Sequence, residues 1–389
     1  MKILMVSSYL PYPLHDGGRI RLYNLLKFLK DKHEITLVCE KRENQTQADI
    51  DEVVKVCKKV IVYNRPKAFS SQNIVKAALS SNSFLKTVHT HKEIKRLIEK
   101  ELATESFDLV HVETFYVMQN LPKTTLPIIL VEHNIEYKVY QRYANKAPIL
   151  TKPFLRLDAL KIKKEEMAAW KRVNALVAVS PKEQEEMGED AYLVPNGVDT
   201  KRFSLKKAPK NKKQKTVLFI GDFRWVANRD SVIYIIKNIW PSIVSKYPEI
   251  KLWVVGKNIP DSIRNLVNPT IVFDENAPER AEEIFQASDV LLSPVRVGGG
   301  TNFKILESMS CGTPVVTNKL GNEGLRAKDK SEILICEKPD EFANAVASLL
   351  KDEYTYEKMS RNGRDFVVKN FDWENVSLKL DEIYRSFQK

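Results

Sequence analysis

Along the chain, short apolar bursts alternate with longer stretches in which apolar positions recur every three or four residues. The bursts read as strands buried on both faces and the longer stretches as helices laid over them, which predicts parallel sheets with helical covers. In the first half the strand candidates are KILMVSS, EITLVC, KVIVY, DLVHVE, PIILVEH and ALVAVS. In the second half they are TVLFIGD, KLWVVG, TIVFD, DVLLSPV, TPVVTN and EILIC. Two sets of about six predict an α/β chain of two doubly wound, Rossmann-like units. Helices are predicted over GGRIRLYNLLKFLKD after the first strand and NRDSVIYIIKNIWPSIV after the seventh, the latter opened by Asn228 and Asp230. Between the halves, Pro195, Asn196 and Gly197 break structure and a lysine run follows, which places a domain boundary near residue 200.

Composition narrows this picture. A chain of 389 residues is too long for the usual single domain, and 43% hydrophobic with 29% charged residues argues against disorder and a membrane-spanning class. The longest apolar runs, such as DVLLSPV, fall far short of the roughly 20 residues that cross a bilayer. The opening MKILMVSS reads as a buried first strand rather than a cleaved leader. Cys39, Cys57, Cys311 and Cys336 are scattered, as reduced thiols of a cytoplasmic protein would be. The net charge of +12 is uneven: residues 51–100 hold eleven Lys/Arg against four Asp/Glu, and residues 201–215 hold eight basic residues and no acid. Such patches attract phosphate-rich partners or an anionic membrane surface, and the second also reads as a solvated linker.

In open parallel sheets, ligands bind at loops beyond the carboxyl ends of the strands. One such loop is RVGGGTN, where Gly298, Gly299 and Gly300 free the backbone and a helix predicted from near Thr301 presents unpaired N–H groups to an anion. Thr301 and Asn302 add donors and Lys304 a positive charge. Glu307, one turn on, is suited to accept hydrogen bonds from two neighbouring sugar hydroxyls, so phosphate donors and a diol acceptor together fit a nucleotide. Lys304 and Glu307 also read as a plain exposed pair three residues apart. His133 ends the strand PIILVEH, placed to donate one hydrogen bond to a substrate while a neighbour fixes its tautomer, and His111 shares a strand face with Glu113. The glycine pair of HDGGRIR stands too far from its strand for a dinucleotide fingerprint, which disfavours a nicotinamide enzyme. HTH at 89–91 lacks the companions of a metal site, and no metal is expected.

Taken together, GGGTNFKILESMSCGTPVV, the following GNEGL, and the earlier VSPKEQEEM, VPNGVD and GDFRWVANRD occur in an order that resembles glycosyltransferases of the GT-B fold, retaining family four. NFDWENVSLKLDEIYRSF is similar to that family's terminal helix. The resemblance covers nearly the whole chain. It implies an N-terminal acceptor-binding domain over 1–200, a basic linker over 201–215, a nucleotide-sugar-binding domain over 216–371, and a terminal helix over 372–389 packing back on the first domain, with the domains facing a central cleft. Carried over by residue, it implies that Glu307 contacts the ribose, Gly299 to Lys304 bind the diphosphate, and His133 contacts the donor sugar. Gly17 and Gly18 approach the phosphates, and Arg224 or Arg229 neutralises the leaving diphosphate. Two positions depart from the family: Gly299 stands where many members carry a glutamate, and Gly221-Asp222 replaces the usual Gly-Arg.

The activity so implied is transfer of a hexose from a nucleoside-diphosphate sugar to a saccharide or lipid-linked acceptor hydroxyl, with retention, in polysaccharide or glycolipid assembly. It needs no cofactor or metal and takes no nucleic acid as partner. Two other readings stay open: a GT-B epimerase or phosphorylase, and a nucleotide-sugar or polyanion-binding protein without turnover. Residues 64–105, expected to be helical and basic with Phe69, Phe84 and Leu85, read either as a surface lying on the cell membrane's inner face or as a plain helical cover.

Overall fold

The structure is a computed structural model that describes residues 1–205, 214–266, 268–277, 280–298 and 300–388. Most of the lysine run in the expected linker (206–213) and Gly299 of the expected phosphate loop lie outside the described residues. Contacts divide the chain into two units, Met1–Pro195 with Val376–Lys389, and Asn196–Asn375.

In the first unit, β1 (Lys2–Ser7), β2 (Glu34–Lys41), β3 (Lys59–Asn64), β4 (Leu109–Glu113), β5 (Ile128–Glu132), β6 (Ala175–Ala178) and β7 (Tyr192–Leu193) form a seven-stranded parallel sheet, ordered β3-β2-β1-β4-β5-β6-β7. In the second, β8 (Thr216–Ile220), β9 (Lys251–Val255), β10 (Ile271–Asp274), β11 (Val290–Ser293), β12 (Val315–Thr317) and β13 (Leu334–Ile335) form a six-stranded parallel sheet, ordered β10-β9-β8-β11-β12-β13. Every strand read from the sequence is present. The unread one, β7, has two residues and shows no period. Each sheet grows outward on one side of its first strand and then returns to the other, so a crevice opens at the carboxyl ends of β1 and β4, and again of β8 and β11.

Burial on both faces explains the unbroken apolar runs. Leu4 and Val6 of β1 pack with Ile94, Ile98 and Ile162 from covering helices. In the second unit, Leu218 and Leu291 of the sheet meet Ile305, Leu306 and Met309 of the helix Phe303–Ser310. Each such side chain contributes about 1.5–3 kcal/mol when removed from water. Because Ile305, Leu306 and Met309 share one face, that helix is fixed in rotation and turns Lys304 and Glu307 away from the core.

Helices differ from expectation where local chemistry intervenes. The helix after β8 spans Val226–Tyr234, continues as one π-helical turn, Ile235–Ile239, and resumes as Trp240–Lys246. Pro241 lacks the N–H that would close a regular turn there. Residues 64–105 carry three helices, Ser71–Leu79, Phe84–Val88 and Lys92–Thr104. Ser70 and Ser83 start the first two by accepting from the amides of Asn73 and Lys86. All four cysteines are free, and among the described residues no helix is long and apolar enough to cross a membrane.

Candidate functional site

The second unit builds its group around two glycines at strand ends. A Cβ at Gly256, whose φ is +149°, would stand 1.8 Å from the carbonyl oxygen of Gly221, and one at Gly221 would meet the Asn228 side chain at 2.6 Å. Without those carbons, Asn228 folds over the end of β8, donating Nδ2–H to the Asp222 carbonyl at 2.8 Å. Its Oδ1 accepts from Lys304 Nζ at 2.8 Å. The ammonium also sits 4.6 Å from the centre of the Phe219 ring. Asn228 was expected to open a helix. Trp225 takes the cap position instead, and Asn228 is spent on positioning the lysine.

Lys304 thus turns to Asn228 and forms no ion pair with Glu307 among the described residues, so the two are not a simple surface pair. Burial pushes Lys304 down to about 8, with the Glu307 charge pulling the other way. Burial pushes Glu307 up to about 7 against the opposing charges of Arg202 and Lys304, with Glu282 adding to the rise. The helix begins at Phe303 with Asn302 at its cap, two residues later than expected. Asn302 donates to the Gly321 carbonyl at 3.3 Å rather than pointing outward, while Thr301 Oγ1 is buried without a hydrogen-bond partner. Gly298 and Gly300 take φ of +110° and +80°, with open space where a Cβ would lie. A Cβ at Gly324 would meet the Gly300 carbonyl at 2.8 Å, so the GNEGL segment seats the glycine loop from behind.

The two candidate arginines differ. Arg224 is exposed and held by both oxygens of Asp222, at 2.9 and 3.1 Å from its Nε. Arg229, on the Val226–Tyr234 helix beside Asn228, is half-buried and has no side-chain hydrogen bond or ion pair among the described residues. Arg224→Ala is therefore expected to change nucleotide affinity by less than about threefold, since an exposed pair contributes little. Arg229→Ala should lower it by about tenfold, ~1.4 kcal/mol, in the same titration.

The first unit builds its group at the ends of β4 and β5. The two-residue period of a strand puts His111 and Glu113 on one face, and His111 Nε2 lies 2.9 Å from Glu113 Oε1. Glu113 Oε2 bonds His133 Nε2, and the Tyr384 hydroxyl lies 2.7 Å from His111 Nδ1. His111, Glu113 and Tyr384 are fully buried. Burial alone would raise Glu113, but the charge of His133 and hydrogen bonds from both histidines outweigh it and hold the carboxyl well below its usual range. A carboxylate only accepts, so each histidine spends its Nε2–H on Glu113, and a ring in its neutral form leaves Nδ1 as an acceptor. A neutral His111 accepts at Nδ1 a hydrogen bond from the Tyr384 hydroxyl. His133 Nδ1 faces Gly18, where a Cβ would stand 3.2 Å away, so a neutral His133 offers an acceptor where a donor was expected.

Gly17 and Gly18 open the helix Gly17–Leu29, capped by Asp16 accepting from the Arg19 amide at 3.0 Å. Thr114, directly after Glu113, holds φ of +76°, a conformation that costs a β-branched residue about 1–3 kcal/mol and is pinned by its amide bonding the Val131 carbonyl at 2.9 Å. Beside His133, burial pushes Glu136 up to about 7, with an Asn134 hydrogen bond and the His133 charge opposing. Asn228, Tyr384 and the role of Glu113 escaped the sequence reading. Only the His111/Glu113 spacing carried a local signal.

Comparisons with known proteins bear on the family and the fold. The family description "Glycosyltransferase Family 4" matches residues 15–202, and "Glycosyl transferases group 1" matches residues 214–352. An uncharacterized 44.6 kDa protein in the cps region of Klebsiella pneumoniae is 22% identical, over 96% of this chain and 97% of its own. The phosphatidyl-myo-inositol mannosyltransferase of Mycobacterium tuberculosis is 24% identical, over 76% of this chain and 77% of its own. Among solved structures, Anabaena HepE in complex with UDP and glucose superposes with a TM-score of 0.64 at 14% identity, covering 99% of this chain and 100% of that one. With both halves matched in sequence and the fold shared along its length, the chain belongs to the group 1, family four glycosyltransferases and has their GT-B fold.

Proposed function

We propose that the protein transfers a hexose from a nucleoside-diphosphate sugar to an acceptor hydroxyl, with retention at the anomeric carbon, in polysaccharide assembly. The observation that carries this reading is the Phe303–Ser310 helix, which presents an Asn228-held ammonium and a carboxylate beside an open glycine loop. In this reading Lys304, the loop amides and Arg229 receive the diphosphate, and Glu307 accepts from the ribose diol. In the first unit, His133 Nδ1 accepts from a hydroxyl of the donor sugar, and Gly17 and Gly18 leave room for its phosphates. The bond from the anomeric carbon to the β-phosphate oxygen breaks as the acceptor oxygen closes on the same face, and the acceptor proton passes to the departing phosphate. The positive groups stabilise the charge that develops there. Because residue 299 is glycine, that loop position supplies no carboxylate to act as a nucleophile. The bound UDP and glucose of HepE favour UDP-hexose as the first donor to try, and the cps-region relative favours a polysaccharide product.

Thermal unfolding against UDP, GDP, ADP and their sugar conjugates tests the reading. A ligand that binds only the folded state stabilises it by about 2.7 kcal/mol at a hundredfold excess over its Kd. A shift with one nucleotide supports the reading, and no shift with any of them overturns it. Binding should also depend on pH. Glu307 must be ionised and Lys304 protonated, so with values of about 7 and about 8 affinity is expected to peak between them. It should fall on either side by at most about tenfold per pH unit. Glu307→Gln should flatten the acid limb and leave the alkaline one.

A further inference from the structure

The helix Lys152–Trp170 is apolar on two opposite sides. Ala159, Ile162, Glu166 and Ala169 face the core. At 100° per residue, Phe154, Leu157 and Leu160 fall roughly on the opposite side, and all three are exposed, Phe154 by 73%. Ile149 and Leu150, in the turn just before, are 84% and 83% exposed. The stripe does not end with this helix. Lys161 Nζ donates to the carbonyls of Ala77 and Ser80, each at 2.8 Å, which holds the segment carrying Leu79, 85% exposed, beside this helix. Large apolar side chains standing this far into water and grouped in one place mark an interaction surface.

The charges around the stripe say what covers it. All three carboxylates of the helix face its neighbours. Asp158 accepts from the Phe84 amide at 2.8 Å, Glu165 from the Ser83 amide at 2.9 Å, and Glu166 from the Glu136 and Tyr137 amides at 2.7 and 3.0 Å. The cations have no such engagement with acids. Lys152 and Lys164 form no ion pair among the described residues, Arg156 reaches only the Asn145 carboxamide, and Lys163 lies over the Tyr137 ring. The face is therefore apolar with a basic surround, complementary to acyl chains beneath anionic headgroups.

We propose that this face of the first unit lies on an anionic lipid bilayer, with Ile149, Leu150, Phe154 and Leu160 among the acyl chains and Lys152, Arg156 and Lys164 at the phosphates. The proposal does not depend on the transferase reading, and its test uses no substrate. The full-length protein is sedimented with vesicles of phosphatidylcholine containing about one-third phosphatidylglycerol, and with pure phosphatidylcholine vesicles. It is expected to bind the first and bind the second at least about tenfold more weakly. The triple variant Ile149→Ser, Leu150→Ser, Phe154→Ser should lose binding by at least about tenfold. Lys152→Glu and Lys164→Glu should each lose about fivefold or more, since one lysine at such a surface is worth about 1 kcal/mol. Ile149, Leu150, Phe154 and Lys164 are exposed and Lys152 is half-buried, with no ion pair among the described residues, so unfolding temperatures should match the parent's. Failure of the parent to bind anionic vesicles overturns the proposal, as does a triple variant that binds like the parent. A parent dimer that the triple variant turns into a monomer, without vesicle binding by either, assigns the face to a second copy instead.

Discussion

Glu307→Ala is expected to weaken nucleotide binding by on the order of a hundredfold. Two hydrogen bonds from a ribose diol to a carboxylate, at about 1.5 kcal/mol each, sum to ~3 kcal/mol. Nucleotide titration by calorimetry reads this directly. Folding stability should move the other way. Because burial pushes Glu307 up to about 7, the fold favours the protonated form, and the ionised form opposes folding as pH rises through that value. The variant lacks this carboxylate, so above pH 7 it should unfold no more easily than the parent while binding far less. A residue that merely supported the helix would lose stability and binding together. Unchanged affinity in a folded variant removes Glu307 from the site.

Glu113→Gln is expected to lower kcat by about a hundredfold, with a smaller change in KM. The carboxylate accepts from two rings, and a carboxamide has one oxygen and one NH2, so it satisfies one histidine as before and forces the other to accept. If His133 is the one forced, its Nδ1 gains the proton and offers a donor where an acceptor stood. If it is His111, the Tyr384 hydroxyl loses its acceptor. Nitrogen NMR shifts of the two rings distinguish the cases without any substrate. His133→Ala should cause a similar loss, and the double variant little more, because both substitutions remove one function. Glu113→Ala, which strips a buried network of its anion, should cost about 3–5 kcal/mol of stability in denaturant unfolding. Unaltered ring tautomers in Glu113→Gln sink the positioning role even if activity falls.

The strands were legible because burial on both faces leaves an apolar run with nothing polar to interrupt it, as in KILMVSS and TVLFIGD. Helix limits were harder. Proline at 241 and serines at 70 and 83 act through one backbone N–H or one side-chain oxygen, so their effect is decided by a single hydrogen bond. Of the candidate site, the local pieces could be read: Lys304 and Glu307 on one helix, His111 and Glu113 on one strand face. Their partners could not. Asn228 is 76 positions from Lys304, and Tyr384 is 273 from His111, and no periodicity spans such gaps. The glycines were legible only as freedom, whereas the structure shows what each makes room for: Asn228 over Gly221, and the Gly300 carbonyl against Gly324.

The Tyr384 hydroxyl on His111 and the Asp381 carboxylate, 2.8 Å from His33, belong to the first unit, yet ribosomes deliver them after the whole of Asn196–Asn375. At about 5–20 residues per second, the nascent first unit waits on the order of ten to forty seconds with its histidines incompletely partnered. During that interval His111 lacks its hydroxyl donor and His33 its carboxylate acceptor. Translation of the second unit thus gates maturation of the first.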